Sequence, residues 1–180
     1  LELNLFPGAS LIAEISCVDF KGPRRVVCYG KIQGHTESSL IIAYYKDVIS
    51  AIVRMPGEAE YAITYQSDGT HLVYEYDPAA LDECPRDPGP AEVQVDASGV
   101  SDVKRAATSK SVASGRSVDA VTNTQVDVMV VYTTNALAHA GGEAGMASFL
   151  DLCIADANQR YSNSLATLNI SLLFHTNVNY

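Results

Sequence analysis

The first domain takes its fold from the stretch Tyr61-Ala-Ile-Thr-Tyr-Gln-Ser-Asp-Gly-Thr-His-Leu-Val-Tyr-Glu-Tyr76. On either side of Asp68-Gly69, large apolar side chains alternate with other residues, so each half presents one apolar face, as a β-strand does. The Asp-Gly pair marks a tight turn, because glycine adopts a positive φ without a Cβ clash. The stretch therefore predicts an antiparallel β-hairpin.

The same pattern recurs throughout the residues that precede this hairpin. Short runs rich in β-branched and aromatic residues are separated by turn residues such as Pro-Gly and Lys-Asp. The predicted strands are Leu1–Leu5, Ser10–Val18, Arg24–Gln33, Ser39–Tyr45, Val48–Met55, Glu60–Tyr65 and Thr70–Tyr76. They predict an all-β antiparallel domain over residues 1–82, a meander curled into a sandwich or half-barrel.

The composition changes over residues 83–122. Four of the seven prolines lie between Pro78 and Pro90, and no aromatic residue occurs between Tyr76 and Tyr132. A segment this poor in large apolar groups cannot offset its ordering entropy by burial. We expect a flexible linker with a domain on each side.

Residues 123–180 predict a strand–helix–strand unit. The apolar run Val126–Tyr132 ends at Thr133-Thr134, where a hydroxyl group can cap a short helix that stops at Gly141-Gly142. Apolar residues spaced by three and four positions then predict one face of a long helix, namely Met146, Phe149, Leu150, Cys153, Ile154, Ala157 and Tyr161.

A second strand over Leu168–Phe174 should run parallel to the first, as in a βαβ unit. Two strands and their helices cannot bury a full core alone, so we expect this domain to be incomplete. The predicted fold class is α+β, with an all-β antiparallel N-terminal domain followed by a partial α/β (βαβ) domain.

Charge and hydropathy exclude several functions. The net charge of −9 argues against a nucleic-acid partner and against adhesion to an anionic membrane. No run of about 18 apolar residues is present, so no membrane span is predicted. The segment 1–6 lacks the features of a signal peptide, so the chain is either cytosolic or has lost such a signal.

Several motifs occur in a shared order along the chain. Residues 123–180 contain Gln125-Val-Asp-Val-Met-Val-Val-Tyr-Thr-Thr134, Ala140-Gly-Gly142, Ala157-Asn158 and Tyr161-Ser-Asn-Ser164. They resemble the start of the catalytic domain in reprolysin-like (metzincin) zinc metallopeptidases, most of all the bacterial secreted type related to peptidyl-Asp metallopeptidases. The first domain is similar to the pro-region of such enzymes at Tyr29-Gly30, Gly34-His35, Ile52-Val-Arg54, Tyr61-Ala-Ile63 and Gly69–Pro78.

The resemblance implies the N-terminal fragment of a secreted or periplasmic zinc metalloendopeptidase precursor. Its pro-domain would assist folding and latency. The implied partners are the remainder of its own catalytic domain and the peptide or protein substrates of the parent enzyme.

The zinc motif of that family is missing from this chain. The family holds zinc with His-Glu-x-x-His-x-x-Gly-x-x-His, and none of the four histidines here has that spacing. They are His35, His71, His139 and His175. The resemblance therefore implies zinc ligands beyond Tyr180, no catalytic residue in this chain, and no activity of the chain alone. Leu165 is a further departure, since glycine is expected after Asn163-Ser164.

The cysteines allow different interpretations. Cys17 and Cys28 lie symmetrically about the turn Gly22-Pro23, which predicts a cross-strand disulfide if the protein is extracytoplasmic. The alternatives are two small core residues or a hairpin register that separates them. By resemblance to some metzincin pro-regions, the Cys84 thiolate would block zinc. A disulfide with Cys153 and an exposed thiol are the alternatives for Cys84.

The linker carries Lys104, Arg105 and Arg116, which mark sites of activation cleavage if the chain is a zymogen fragment. Alternatively, these charges only keep the linker solvated. A rival reading of the chain is a non-catalytic extracellular β-sandwich binding module with a small α/β companion. A third is a diverged, inactive protease homologue that acts as an inhibitor.

Overall fold

Seven strands of the N-terminal region form one antiparallel sheet in the computed structural model, which describes residues 1–77 and 124–178. Each strand pairs with the next one along the chain, so the predicted meander is confirmed, and the sheet is nearly closed. The strands are β1 Glu2–Phe6, β2 Ala9–Gly22, β3 Arg25–Ile32, β4 Ser39–Tyr45, β5 Val48–Met55, β6 Ala59–Tyr65 and β7 His71–Tyr76.

The hairpin that opened the sequence analysis forms as predicted. Tyr65 pairs with His71 at the ends of β6 and β7, and Gly69 takes a φ of 89°. The Asp68 carboxylate accepts a hydrogen bond of 2.9 Å from the Thr70 backbone N–H. The side chain of Asp68 therefore fixes the turn together with the glycine.

Both faces of the sheet are apolar, which explains why β4 reads as a nearly continuous hydrophobic run. Because side chains alternate along each strand, Leu40 belongs to one cluster and Ile41 to another. The first cluster also contains the buried residues Ala13, Ile32, Val53, Met55 and Ala59. The second joins Val27, Ile41 and Ala43 of the sheet to Leu152 and Ala155 of a helix.

The second described range forms a parallel strand pair with two intervening helices. These elements are β8 Thr124–Thr133, α1 Thr134–His139, α2 Glu143–Asn163 and β9 Leu168–Val178. The parallel pairing of β8 with β9 is confirmed, as is the helix cap, since the Thr133 hydroxyl accepts from the Ala136 N–H.

Contacts between the two described ranges are extensive, and both ranges belong to one compact unit. Helix α2 lies against β3, β4 and β5 on one side and against β9 on another. The predicted linker over 83–122 lies outside the described residues, and the domain boundaries stay a prediction.

The predicted apolar face of α2 is partly wrong. Phe149 is 43% exposed and Cys153 is exposed, whereas Ser148 and Asp151 are buried. The reason is that α2 contacts two sheets along two different sides, so its buried surface is wider than one stripe. Positions 149 and 153 share a line along the helix and belong to neither of the clusters that bury its other apolar residues.

Asn158 of α2 makes two hydrogen bonds to the backbone of one residue in β9, as a neighbouring strand would. Its side-chain amide donates to the Ile170 carbonyl at 2.8 Å and accepts from the Ile170 N–H at 2.6 Å. These two backbone groups lie on β9, where each would otherwise need another partner. The amide thereby fixes the position of the helix along the strand.

Helix α2 ends in a motif that normally requires glycine. The Ala166 N–H donates to the Tyr161 carbonyl and the Leu165 N–H donates to the Ser162 carbonyl, which is the Schellman pattern. Leu165 occupies the position with positive φ, at 57°, and its side chain is 89% exposed. The departure from Asn-Ser-Gly noted in the sequence is therefore a strained residue with little compensating burial.

Replacing this residue should stabilise the protein. We expect Leu165→Gly to raise the free energy of unfolding by about 1 kcal/mol, because glycine adopts the left-handed conformation without a Cβ penalty. Urea denaturation followed by circular dichroism measures the change. Ala166→Gly is the control, since Ala166 has no positive φ and should not gain stability. Equal effects of the two variants would contradict the strain argument.

Candidate functional site

The candidate site is the surface on which α2 meets the seven-stranded sheet, because there residues 124–178 are joined to residues 1–77. Its centre is apolar, with Leu152 and Ala155 packed on the sheet. The fully buried Ser148 hydroxyl donates to the Ala43 carbonyl at 2.9 Å. A serine at this position lets the helix approach β4 closely while its hydroxyl stays paired.

A two-point ion pair lies on one side of this centre. Arg25, at the start of β3, donates through Nε and through a terminal nitrogen to the two oxygens of Asp151, each at 2.7 Å. Asp151 is only 7% exposed. The hydrogen bond to Asp151 raises the pKa of the Arg25 guanidinium. The geometry is the planar fork that arginine and carboxylate favour.

A second arginine lies on the other side, in β5. Arg54 contacts both carboxylate oxygens of Asp156, with one of the two distances at 3.0 Å. Asp156 also accepts from Arg160 at 3.1 Å, one helical turn further along α2. The helix therefore presents two acids, Asp151 and Asp156, to two arginines of the sheet.

One donor of this cluster, the Nε atom of Arg54, is poorly paired. Glu60 Oε1 lies 3.4 Å from it, within ion-pair distance. The geometry does not make a hydrogen bond, and within the described parts of the chain this buried nitrogen has no hydrogen-bond acceptor. The Glu60 contact is an electrostatic attraction alone, since its direction is poor for a hydrogen bond.

Two glycines complete the contact. The Tyr65 ring packs against the junction between α1 and α2, where a Cβ atom on Gly141 would lie 2.7 Å from Tyr65 Cε1. A Cβ atom on Gly145 would lie 3.2 Å from Tyr65 Cδ1. Gly141 has a φ of 76° and Gly142 a φ of 88°, which separates the two helices as predicted. The glycines thus have a second role, since they make room for the aromatic ring.

The two acids of this site, Asp151 and Asp156, were not predicted from the sequence. Asp151 stands between Leu150 and Leu152, and Arg54 stands between Val53 and Met55. A lone charge inside a predicted apolar element is the signal that would have found them, because buried charges are normally paired. The identity of each partner could not be derived, since the paired residues lie about a hundred positions apart.

Most predicted site residues lie elsewhere. Cys84, Lys104, Arg105 and Arg116 are outside the described residues. Cys17 and Cys28 are free thiols, and burial raises the pKa of the Cys28 thiol.

The expectation that Cys17 and Cys28 lie directly opposite each other is wrong. Val18 is the partner of Cys28, and Tyr29 is the partner of Cys17. Gly22 pairs with Arg25, so the strands turn about Pro23-Arg24 and not about Gly22-Pro23 as predicted. Cys17 and Cys28 are therefore one position out of register, which directs their side chains to opposite faces of the sheet. The disulfide stays a prediction, for which the observed register is unfavourable.

The described residues do not show a metal centre. Within residues 1–77 and 124–178, no three His, Cys, Asp or Glu side chains are grouped so that they could hold a metal ion. In the same part of the chain, no helix has both the length and the apolar character needed to cross a bilayer.

Comparisons with known proteins did not identify a family. The chain matches no family model. No curated protein and no solved structure matches it significantly.

Removing the Arg25 side chain tests the ion pair. We expect Arg25→Met to lower the free energy of unfolding by about 2 kcal/mol, because it leaves the buried Asp151 carboxylate unpaired. Arg24→Met is the matched control on the neighbouring residue, whose partner Asp47 is exposed. It should have no measurable effect. Urea denaturation of both variants measures the difference, and equal losses would contradict a specific role for the Asp151 pair.

The two adjacent glycines test the aromatic contact. Gly141→Ala and Gly142→Ala both place a Cβ atom on a residue with positive φ, but open space surrounds Gly142. We expect Gly142→Ala to cost about 1 kcal/mol from backbone strain. Gly141→Ala should cost about 2 kcal/mol more, because the new methyl group overlaps the Tyr65 ring. Thermal denaturation compares them, and a cost for Gly141→Ala no larger than that for Gly142→Ala would exclude close packing of Tyr65.

Proposed function

We propose that the chain is the N-terminal part of a secreted zinc metalloendopeptidase precursor. In this proposal the seven-stranded sheet is a pro-domain, and residues 124–178 are the first part of a metzincin-like catalytic domain. The observation that supports the pro-domain role is the contact of α2 with the sheet through Arg25–Asp151 and Arg54–Asp156. The motif order described above supports the enzyme class by resemblance.

The burial of α2 supports a role in folding. Met146 and Leu150 of the helix pack against the strand pair β8–β9, in one cluster with Tyr132 of β8. Leu152, Ala155 and Asp151 are covered from the other side, by the sheet. Without the sheet, these side chains would be exposed and the helix would lose about 2 kcal/mol for Leu152 alone. A pro-domain that supplies the second packing surface therefore assists folding of the segment that follows it.

Exposed apolar side chains on β8 and β9 support the proposed partner, which is the remainder of the catalytic domain. Met129 is 64% exposed, Leu173 is 74% exposed and Phe174 is 53% exposed. Large exposed apolar side chains on a two-stranded sheet are typical of a surface that another element covers.

The contact between α2 and the sheet also affects how the proposed precursor would be activated. Cleavage at Lys104, Arg105 or Arg116 would cut the covalent connection between the two parts. It would leave both arginine–aspartate pairs and the apolar centre in place, so cleavage alone would not separate the parts. In this proposal the residues that hold zinc follow Tyr180. Within residues 1–180 only the Cys84 thiolate would bind the metal, as an inhibitory ligand.

The test uses the full-length gene product. We expect it to contain zinc by atomic absorption and to hydrolyse casein only after limited proteolysis between residues 83 and 122 and separation of the two parts. A variant with Lys104, Arg105 and Arg116 all changed to Gln is the control. It should resist activation by a trypsin-like protease while its zinc content is unchanged. A product without zinc and without peptidase activity would contradict the proposal and favour the binding module.

A further inference from the structure

A cavity of about 320 Å³ lies beside the α2–sheet contact and takes no part in the role proposed above. One wall comes from the sheet, through Thr64 and Gln66 near the β6–β7 turn. The other wall comes from α1 and α2, through Ala136, Met146 and Phe149. The cavity is therefore lined by both described ranges of the chain, and it is open to solvent on one side.

The lining is apolar and almost free of charge. Ala136, Ala140, Met146 and Phe149 supply its apolar surface, and none of its lining residues is Asp, Glu, Lys or Arg. A charged ligand would lose its hydration here without an Asp, Glu, Lys or Arg side chain to pair with, which is unfavourable. The chemistry of the lining thus selects a neutral ligand.

Polar groups also line the cavity. Gln66 donates from Nε2 to the Thr64 hydroxyl at 3.1 Å, and the His139 imidazole also lines the cavity. Such a combination of apolar walls and a few polar groups is typical of small-molecule sites. The arrangement suits an apolar body that carries one N–H or O–H group.

Size restricts the ligand further. An apolar cavity of about 150 Å³ binds a single benzene molecule, and this cavity is about twice as large. The 43% exposure of Phe149 leaves one wall accessible from solvent, so a ligand has a route of entry.

We propose that this cavity binds a small neutral aromatic molecule of the indole or phenol class. Because residues of both ranges line it, a bound ligand also strengthens the contact of α2 with the sheet. The proposal does not depend on the role as a pro-domain, since it rests on the cavity alone.

The three methionines of the chain make a direct experiment available. They are Met55, Met129 and Met146, and only Met146 lines the cavity. Met55 is buried in the cluster on the other face of the sheet, whereas Met129 is 64% exposed. Methyl-¹³C-methionine labelling of the 180-residue chain therefore gives one resonance at the site and two internal controls.

Indole is the probe. We expect its addition to shift the Met146 methyl resonance saturably, while the Met55 and Met129 resonances do not move. Indole-3-acetate, which has a similar ring and a negative charge, should shift Met146 far less. The absence of a saturable shift at Met146, or an equal shift at Met129, would overturn the proposal, because the second result indicates non-specific contact with exposed apolar surface.

A pair of variants on α1 gives a second readout. Ala136→Leu fills the cavity, whereas Ala138→Leu adds the same side chain at an exposed position of the same helix. We expect the first variant to lose the indole response and the second to keep it. An unchanged response in a folded Ala136→Leu variant would refute the site. If Ala136→Leu fails to fold, judged by the Met55 resonance, the titrations of the unaltered chain with indole and indole-3-acetate decide the question.

Discussion

The position of α2 between two sheets is the constraint on which the rest of the structure depends. A helix that packs on one side needs only one apolar stripe. This helix contacts β9 and the sheet strands on different sides, so small residues occur where the sheets come close. Gly145, Ala147 and Ser148 are all buried, and the close approach at Ser148 places a hydroxyl on the Ala43 carbonyl.

Charge determines how the helix is placed on that surface. Both acids of the contact, Asp151 and Asp156, come from the helix, and both arginines come from the sheet. A half-buried ion pair adds little net stability compared with an apolar pair, but separating its partners is costly. Because the apolar centre is small and apolar packing has no directional preference, we infer that the ion pairs fix which register the helix adopts.

The sequence predicts local structure well where the determinants are local. Strands such as Ser39–Tyr45 and Val48–Met55 have the predicted bounds, because alternation and turn residues are properties of short segments. The exposed side of α2 at Phe149 could not be predicted, since it depends on two sheets that are distant in sequence. The register of Cys17 against Cys28 was also not predicted, because the turn lies one residue away from the predicted position and such a shift changes every pair of the hairpin.

The two parts of the contact differ in the number of buried apolar residues that each one packs without help from the other. The sheet keeps a complete cluster on its other face, with Leu40 and Val53 fully buried and no contribution from the helices. Residues 124–178 form by themselves only the smaller cluster around Tyr132, Met146 and Leu150. Since burial of apolar surface is the main favourable term in folding, the sheet can hold its structure before the helix docks, whereas the helix gains its second partner only from the sheet. This asymmetry favours an order of folding in which the N-terminal sheet forms first and then serves as the template for α2.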